Sequence, residues 1–149
     1  MTANSVDEGV SWPGALGVPD WSGERLIPSR VVVETIFGCN ARCPMCLIDH
    51  PTERPKNVMP MDRFEALVSA FEPYVDQIQM FDLFGLGEPL LDKYLPERIA
   101  LLKRKGFKGI GVSTNAHLLT AEWRKALFEA GADTILISID GASKKAHEA

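Results

Sequence analysis

Long apolar runs are missing from this chain. No stretch of its 149 residues approaches the roughly 18 consecutive apolar residues of a membrane-spanning helix, so no membrane partner is expected. Basic patches are missing as well. Sixteen lysines and arginines stand against 20 aspartates and glutamates, a net charge of −4, and the electrostatic footprint of a nucleic-acid binder is absent. Lys103-Arg104-Lys105 is the one dense basic run, and it falls at an expected helix C-terminus, where cations complement the dipole. Cysteine and histidine are scarce, three of each. Three cysteines close together do not make a disulfide framework. Residues 1–30 lack a basic start followed by an apolar core, so no secretory signal is read there. These absences point to a reducing, cytoplasmic setting. With 46% hydrophobic and 24% charged residues, the chain has the composition of an ordinary globular domain, and its length suits about one.

What the chain does have is concentrated. All three cysteines lie in Cys39-Asn40-Ala41-Arg42-Cys43-Pro44-Met45-Cys46, directly after the β-branched run Val31 to Phe37. Iron–sulfur clusters are held by thiolates, usually four. Three on one short loop would ligate three irons of a cubane and leave the fourth iron open. Two other readings stay open at this point. The cysteines are inert small hydrophobes, or they form a structural zinc site completed by His50, four residues after Cys46.

Along the chain, residues 1–30 carry Pro13, Pro19, Pro28 and four glycines. They read as an extended lead-in, with Trp12 and Trp21 as anchors and residues 31–149 as the domain proper. Val31 to Phe37 is expected to be one buried strand, and residues 47–60 a long loop. Phe64, Leu67, Val68 and Phe71 repeat at helical spacing up to Pro73. Gln77 to Phe84 reads as a second strand, closing on Gly85-Leu86-Gly87-Glu88-Pro89. Leu91, Leu95, Ile99 and Leu102 mark a second helix that stops at Gly106. Gly109 to Thr114 is a third strand, running into Asn115. Thr120 caps a third helix with Trp123, Leu127 and Ala130 inward and Gly131 as its stop. Thr134 to Ile139 is a fourth strand, ending at Asp140-Gly141, and Ser143 is placed to cap a further helix. Asp82, inside an apolar strand, needs a partner such as a salt bridge. Strands alternating with helices predict a parallel sheet with right-handed crossovers. Ligands gather at the C-terminal strand ends of such sheets. The polar clusters sit at those ends: the cysteines, Glu88, Ser113 with Asn115, and Ser138 with Asp140.

Three of these stretches together resemble the radical S-adenosylmethionine (radical SAM) superfamily: the cysteine loop, Gly85-Leu86-Gly87-Glu88-Pro89 and Ser138-Ile139-Asp140-Gly141, the last most like the peptide-modifying, SPASM-like members. Met45 stands where that family usually has an aromatic residue, and Leu86 replaces a glycine. The resemblance implies the N-terminal portion of a partial (β/α)6 TIM-like barrel, with four parallel strands visible, so that 31–149 reads as a truncated core. It implies a [4Fe-4S] cluster on Cys39, Cys43 and Cys46. It implies S-adenosylmethionine (SAM) contacts from Met45, Gly85, Gly87, Glu88, Ser113, Asn115, Ser138 and Asp140. Among these, the Glu88 carboxylate would meet the SAM ammonium, and Ser138 and Asp140 would meet the ribose or the methionine carboxylate region. The implied activity is reductive cleavage of SAM to a 5′-deoxyadenosyl radical, which abstracts hydrogen from an unidentified substrate (a peptide, a sugar or a small metabolite). A flavodoxin- or ferredoxin-type electron donor is implied too. The rival classes are a non-enzymatic zinc module on Cys39, Cys43, Cys46 and His50, and an inactive fragment that holds a cluster.

Overall fold

The computed structural model describes residues 27–49, 57–141 and 143. Trp12, Trp21, His50 and the chain beyond Ser143 lie outside them. Four strands form one parallel sheet in the order β1-β4-β5-β6: β1 (Arg30–Val32), β4 (Met80–Asp82), β5 (Ile110–Thr114) and β6 (Thr134–Ile137). Three helices connect them, α1 (Met61–Phe71), α2 (Leu95–Arg104) and α3 (Ala121–Ala130). The expected four-stranded parallel α/β architecture is present.

The run expected as one strand is two. β1 stops at Val32, and the chain then leaves the parallel sheet. Ile36–Phe37 (β2) instead pairs antiparallel with Asn57–Val58 (β3), inside the stretch expected to be loop. The break has a visible cause. Val33 N–H donates the last bond to the parallel sheet, at Asp82 O. One residue on, the Glu34 carboxylate reaches the amides of Leu86 and Gly87, and the Thr35 carbonyl takes the Met59 N–H. The Thr35 carbonyl, which a longer β1 would offer to the sheet, is thus committed to the β2–β3 side, and the Glu34 side chain to the glycine loop. The strand expected over Gln77 to Phe84 is likewise shorter, and Leu91 belongs to a 3-10 turn ahead of α2.

Register divides the sheet into two faces, because alternate residues point opposite ways. Val31, Phe81 and Ile110 stand in line on one face. Against it pack Phe64 and Val68 of α1, Leu95, Ile99 and Leu102 of α2, and Leu127 of α3, all buried. Phe81 lies edge-to-face with Phe71 and Phe107, at centroid distances of 6.2 and 5.2 Å. The other face carries Asp82, Gly111 and Ser113. Asp82 finds its partner in Arg30, whose Nε donates to Oδ2 at 2.6 Å. A Cβ on Gly111 would come within 2.1 Å of Asp82 Oδ1, so a glycine lets this pair lie flat on the sheet.

The helix ends follow from the sequence. Thr120 Oγ1 accepts the Trp123 N–H at 3.3 Å. Gly131 (φ 92°) and Gly106 (φ 88°) end α3 and α2 in the left-handed region that glycine enters without strain. Lys103 and Lys105 close α2 and pair with Asp133 and Glu72.

Candidate functional site

The site is assembled where β2, β4, β5 and β6 end. The cysteine loop leaves β2 after Phe37. It turns tightly, with Cys46 N–H on the Cys43 carbonyl at 2.9 Å. All three thiols are free and half-buried. The Gly85-Leu86-Gly87 loop leaves β4 and lies directly on the chain ahead of the cysteines. A Cβ at Gly87 would fall 2.0 Å from the Ile36 carbonyl oxygen, and one at Gly85 would fall 2.6 Å from Glu34 Oε1. Glycine at position 87 lets two backbones approach, and glycine at position 85 leaves room for the Glu34 side chain. Glu34 then secures the loop, accepting from Leu86 N–H at 2.8 Å and Gly87 N–H at 3.3 Å. Glu88 N–H donates to the Gly38 carbonyl at 2.8 Å, one residue before Cys39.

The Glu88 side chain turns inward and is buried. Its Oε1 accepts from Leu90 N–H at 3.0 Å and from the Thr114 hydroxyl at 2.6 Å, and its Oε2 accepts from Asn115 N–H at 2.8 Å. A carboxylate has about four acceptor sites, so these donors leave one, on Oε2. Asn115 continues the chain of bonds. Its Nδ2 donates to Asn40 Oδ1 at 2.9 Å and to Cys39 Sγ at 3.6 Å. Ala41 N–H reaches the same sulfur at 3.4 Å. Ser113 on β5 and Ser138, the residue just after β6, bring their hydroxyls to 3.5 Å. Met45 is 69% exposed, and Asp140 is exposed at the end of β6.

Electrostatics joins Asp140 to the loop. Burial pushes the Cys43 thiol up, and the Asp140 carboxylate and the Cys46 and Cys39 thiols push it in the same direction. A thiolate there is disfavoured until cationic metal offsets the surrounding negative charge. That donor set fits a thiolate-ligated cluster: three thiols on one loop, one of them receiving two N–H donors. Among the described residues no three His, Cys, Asp or Glu side chains close on a single ion.

Sequence reasoning brought Cys39, Glu88, Asn115, Ser113 and Ser138 to one rim, and the structure places them there. It missed Thr114, whose hydroxyl bridges Glu88 and the Ala116 N–H. Strand alternation was the available signal, since it turns Thr114 away from Ser113. It also missed Glu34 as the holder of the glycine loop. A separate cleft of about 250 Å³ lies between the β2–β3 ribbon and α1, lined by Thr35, Phe37, Met59 and Arg63 among others. It contains none of the sequence-predicted residues.

Comparison with known proteins agrees with this geometry. The family model described as the radical SAM superfamily matches residues 33–149. Over 108 residues the chain is 34% identical to the tungsten-containing aldehyde ferredoxin oxidoreductase cofactor-modifying protein of Pyrococcus furiosus, covering 72% of this chain and 30% of that one. It is 34% identical over 113 residues to the GTP 3′,8-cyclase of Thermodesulfovibrio yellowstonii, covering 72% and 34%. The chain thus spans about a third of the length of these curated relatives. The crystal structure of BtrN in complex with AdoMet and 2-DOIA superposes with a TM-score of 0.71 at 22% identity, over 82% of this chain and 50% of that one. That likeness shows the fold. No helix among the described residues is long and apolar enough to cross a membrane.

Proposed function

The chain belongs to the radical SAM superfamily, and from that premise we propose that Cys39, Cys43 and Cys46 hold a [4Fe-4S] cluster with one iron left open to SAM. When bound, the cluster and SAM supply a 5′-deoxyadenosyl radical that takes a hydrogen atom from substrate. The protein supplies position and electrostatics. The backbone carbonyls of the Gly85 to Gly87 loop receive the methionine end of SAM, and the remaining acceptor site on Glu88 Oε2 takes its ammonium as a charge-assisted hydrogen bond. Ser113 and Ser138 offer hydroxyls to the ribose, Asp140 closes the rim beside the cysteine loop, and Met45 covers the adenine with a polarizable apolar side chain. A flavodoxin- or ferredoxin-type donor delivers the electron.

The observation that carries this reading is the chain of bonds from Glu88 through Asn115 to Cys39. It makes the glycine loop, the end of β5 and the cysteine loop one unit, with the thiols at the mouth of the sheet. The two named relatives modify a tungsten enzyme's cofactor and cyclise GTP. This supports a small cofactor-like molecule over a peptide as substrate.

Anaerobic reconstitution with iron and sulfide tests the reading. About four irons per chain are expected, and the Cys43→Ala, Cys46→Ala double variant should lose the brown chromophore. Stoichiometric zinc in the parent, or full iron in the double variant, would overturn it.

A further inference from the structure

Asn115, half-buried just past the end of β5, is held from several sides. Its N–H is fixed on Glu88 Oε2, and its Oδ1 accepts the His117 N–H at 3.0 Å. The carboxamide therefore has one orientation. Reversed, it would set an N–H pair against the His117 N–H, and an oxygen against Asn40 Oδ1. In the observed orientation both Nδ2 hydrogens point at the cysteine loop. One goes to Asn40 Oδ1, the other to Cys39 Sγ.

We propose that Asn115, through this N–H···S bond to Cys39, raises the reduction potential of the cluster that the loop holds. The proposal rests on the assignment of the three cysteines to a cluster. Hydrogen bonds to the sulfurs are among the determinants of a cluster's potential. The reason is electrostatic. Reduction adds one electron, and part of the added charge resides on the thiolate sulfurs. An N–H donor aimed at one of them stabilises the reduced form more than the oxidised form. Glu88 and His117 keep the donor in place, so no reorientation is needed when the electron arrives. Asn115 acts on the cluster through Cys39, as a positioning residue.

The test is an EPR-monitored redox titration of the reconstituted full chain without SAM. It compares the parent with Asn115→Ala and Asn115→Asp. The aspartate keeps the shape and the acceptor for His117 but replaces the donor with a carboxylate. In Asn115→Ala the ratio of reduced to oxidised cluster at a fixed solution potential should fall about tenfold, a shift of ~59 mV for a one-electron couple. Asn115→Asp should shift further in the same negative direction. Iron content is measured alongside. Unchanged midpoints in both variants at full iron would overturn the proposal. So would loss of iron from both, because Asn115 would then serve assembly rather than potential. A parent that binds no cluster at all would overturn the cluster assignment itself, a failure separate from these two.

Discussion

β5 and β6 are neighbours in one parallel sheet, and β6 is the more apolar of the two. Ile110, Gly111, Val112 and Thr114 of β5 are nevertheless buried, while every residue of β6 is exposed. Ile135 and Ile137 are 37% and 45% exposed. Their register beside Val112 and Thr114 does put them on the helix-facing side, as alternation predicts. The difference lies in what surrounds each strand. β5 has β4 on one side, β6 on the other and helices above it. β6 pairs with β5 alone among the described residues. Burial is conferred by neighbours, and a hydrophobic strand sequence states only that neighbours are wanted. The site inherits the same asymmetry. Thr114 and Asn115, at the end of β5, are tied into Glu88, whereas Asp140, at the end of β6, stands exposed.

The enclosed side should fail hardest when cut. Asp92 and Arg98 form an ion pair with both side chains 0% exposed, Arg98 Nε donating to Asp92 Oδ2 at 2.8 Å. Arg98 Nη2 also donates to the Met59 carbonyl, and its guanidinium lies 4.9 Å from the centre of the Phe64 ring. The pair thus bolts the turn after Glu88 to the start of α1. Asp92→Ala strands a buried charge and should cost about 3–5 kcal/mol. Replacing both partners with apolar residues, Asp92→Leu with Arg98→Met, should cost less than the single change. Urea denaturation measures both, and equal losses would remove the buried charge as the cause.

The strand comparison itself is tested by a matched pair. Ile110→Ala empties a fully buried position on β5 and should cost about 2–5 kcal/mol. Ile137→Ala on β6 loses side-chain contact that is already half solvated, and about 1 kcal/mol or less is expected. Comparable losses at the two positions would mean that β6 is covered in solution.

The smallest effect sits at the seam between these strands. Asp133, just ahead of β6, accepts the Ile110 N–H at Oδ2 and both contacts from Lys103 Nζ. Burial acts to raise its carboxyl, but the Lys103 and Ile110 hydrogen bonds and the Lys103 charge outweigh it and hold the carboxyl below the ordinary range. A carboxylate depressed in the folded state stabilises above its unfolded pKa of about 3.9, and that stability is lost as pH falls through the folded value. Asp133→Asn should therefore be less stable than the parent near neutral pH, and the gap should close in acid. Lys103 and Asp133 are partly solvated, so salt should shrink the gap as well. A gap independent of pH would point to the lost geometry rather than the charge.

Much of this was legible in the sequence because it is local. Helical spacing in Leu95, Ile99 and Leu102, the Thr120 cap and the stops at Gly106 and Gly131 involve residues within a turn or two of one another. The break between β1 and β2 was not legible. The run from Val31 to Phe37 is β-forming apart from Glu34, and at that residue a carboxylate bonds amides more than fifty residues away. Glu88 shows the same limit. Its place in a glycine-proline turn marked it for the site, but the sequence offered no sign that its carboxylate would be committed mainly to Leu90, Thr114 and Asn115.

The sequence alone determined the three thiols on one loop, the glycines that admit close backbone approach, and the alternation that yields a parallel sheet with its polar residues at one end. Those properties belong to covalent neighbours and to the periods of helix and strand. Only the tertiary structure decided which donor meets which acceptor at the rim. Asn115 and Cys39 are 76 positions apart, and their contact depends on β4 lying between β1 and β5, on the register of each pair, and on Glu88 holding the end of β5. A hydrogen bond falls off over tenths of an ångström and with angle. Such a contact is decided by packed geometry, to which no local pattern in the chain is sensitive.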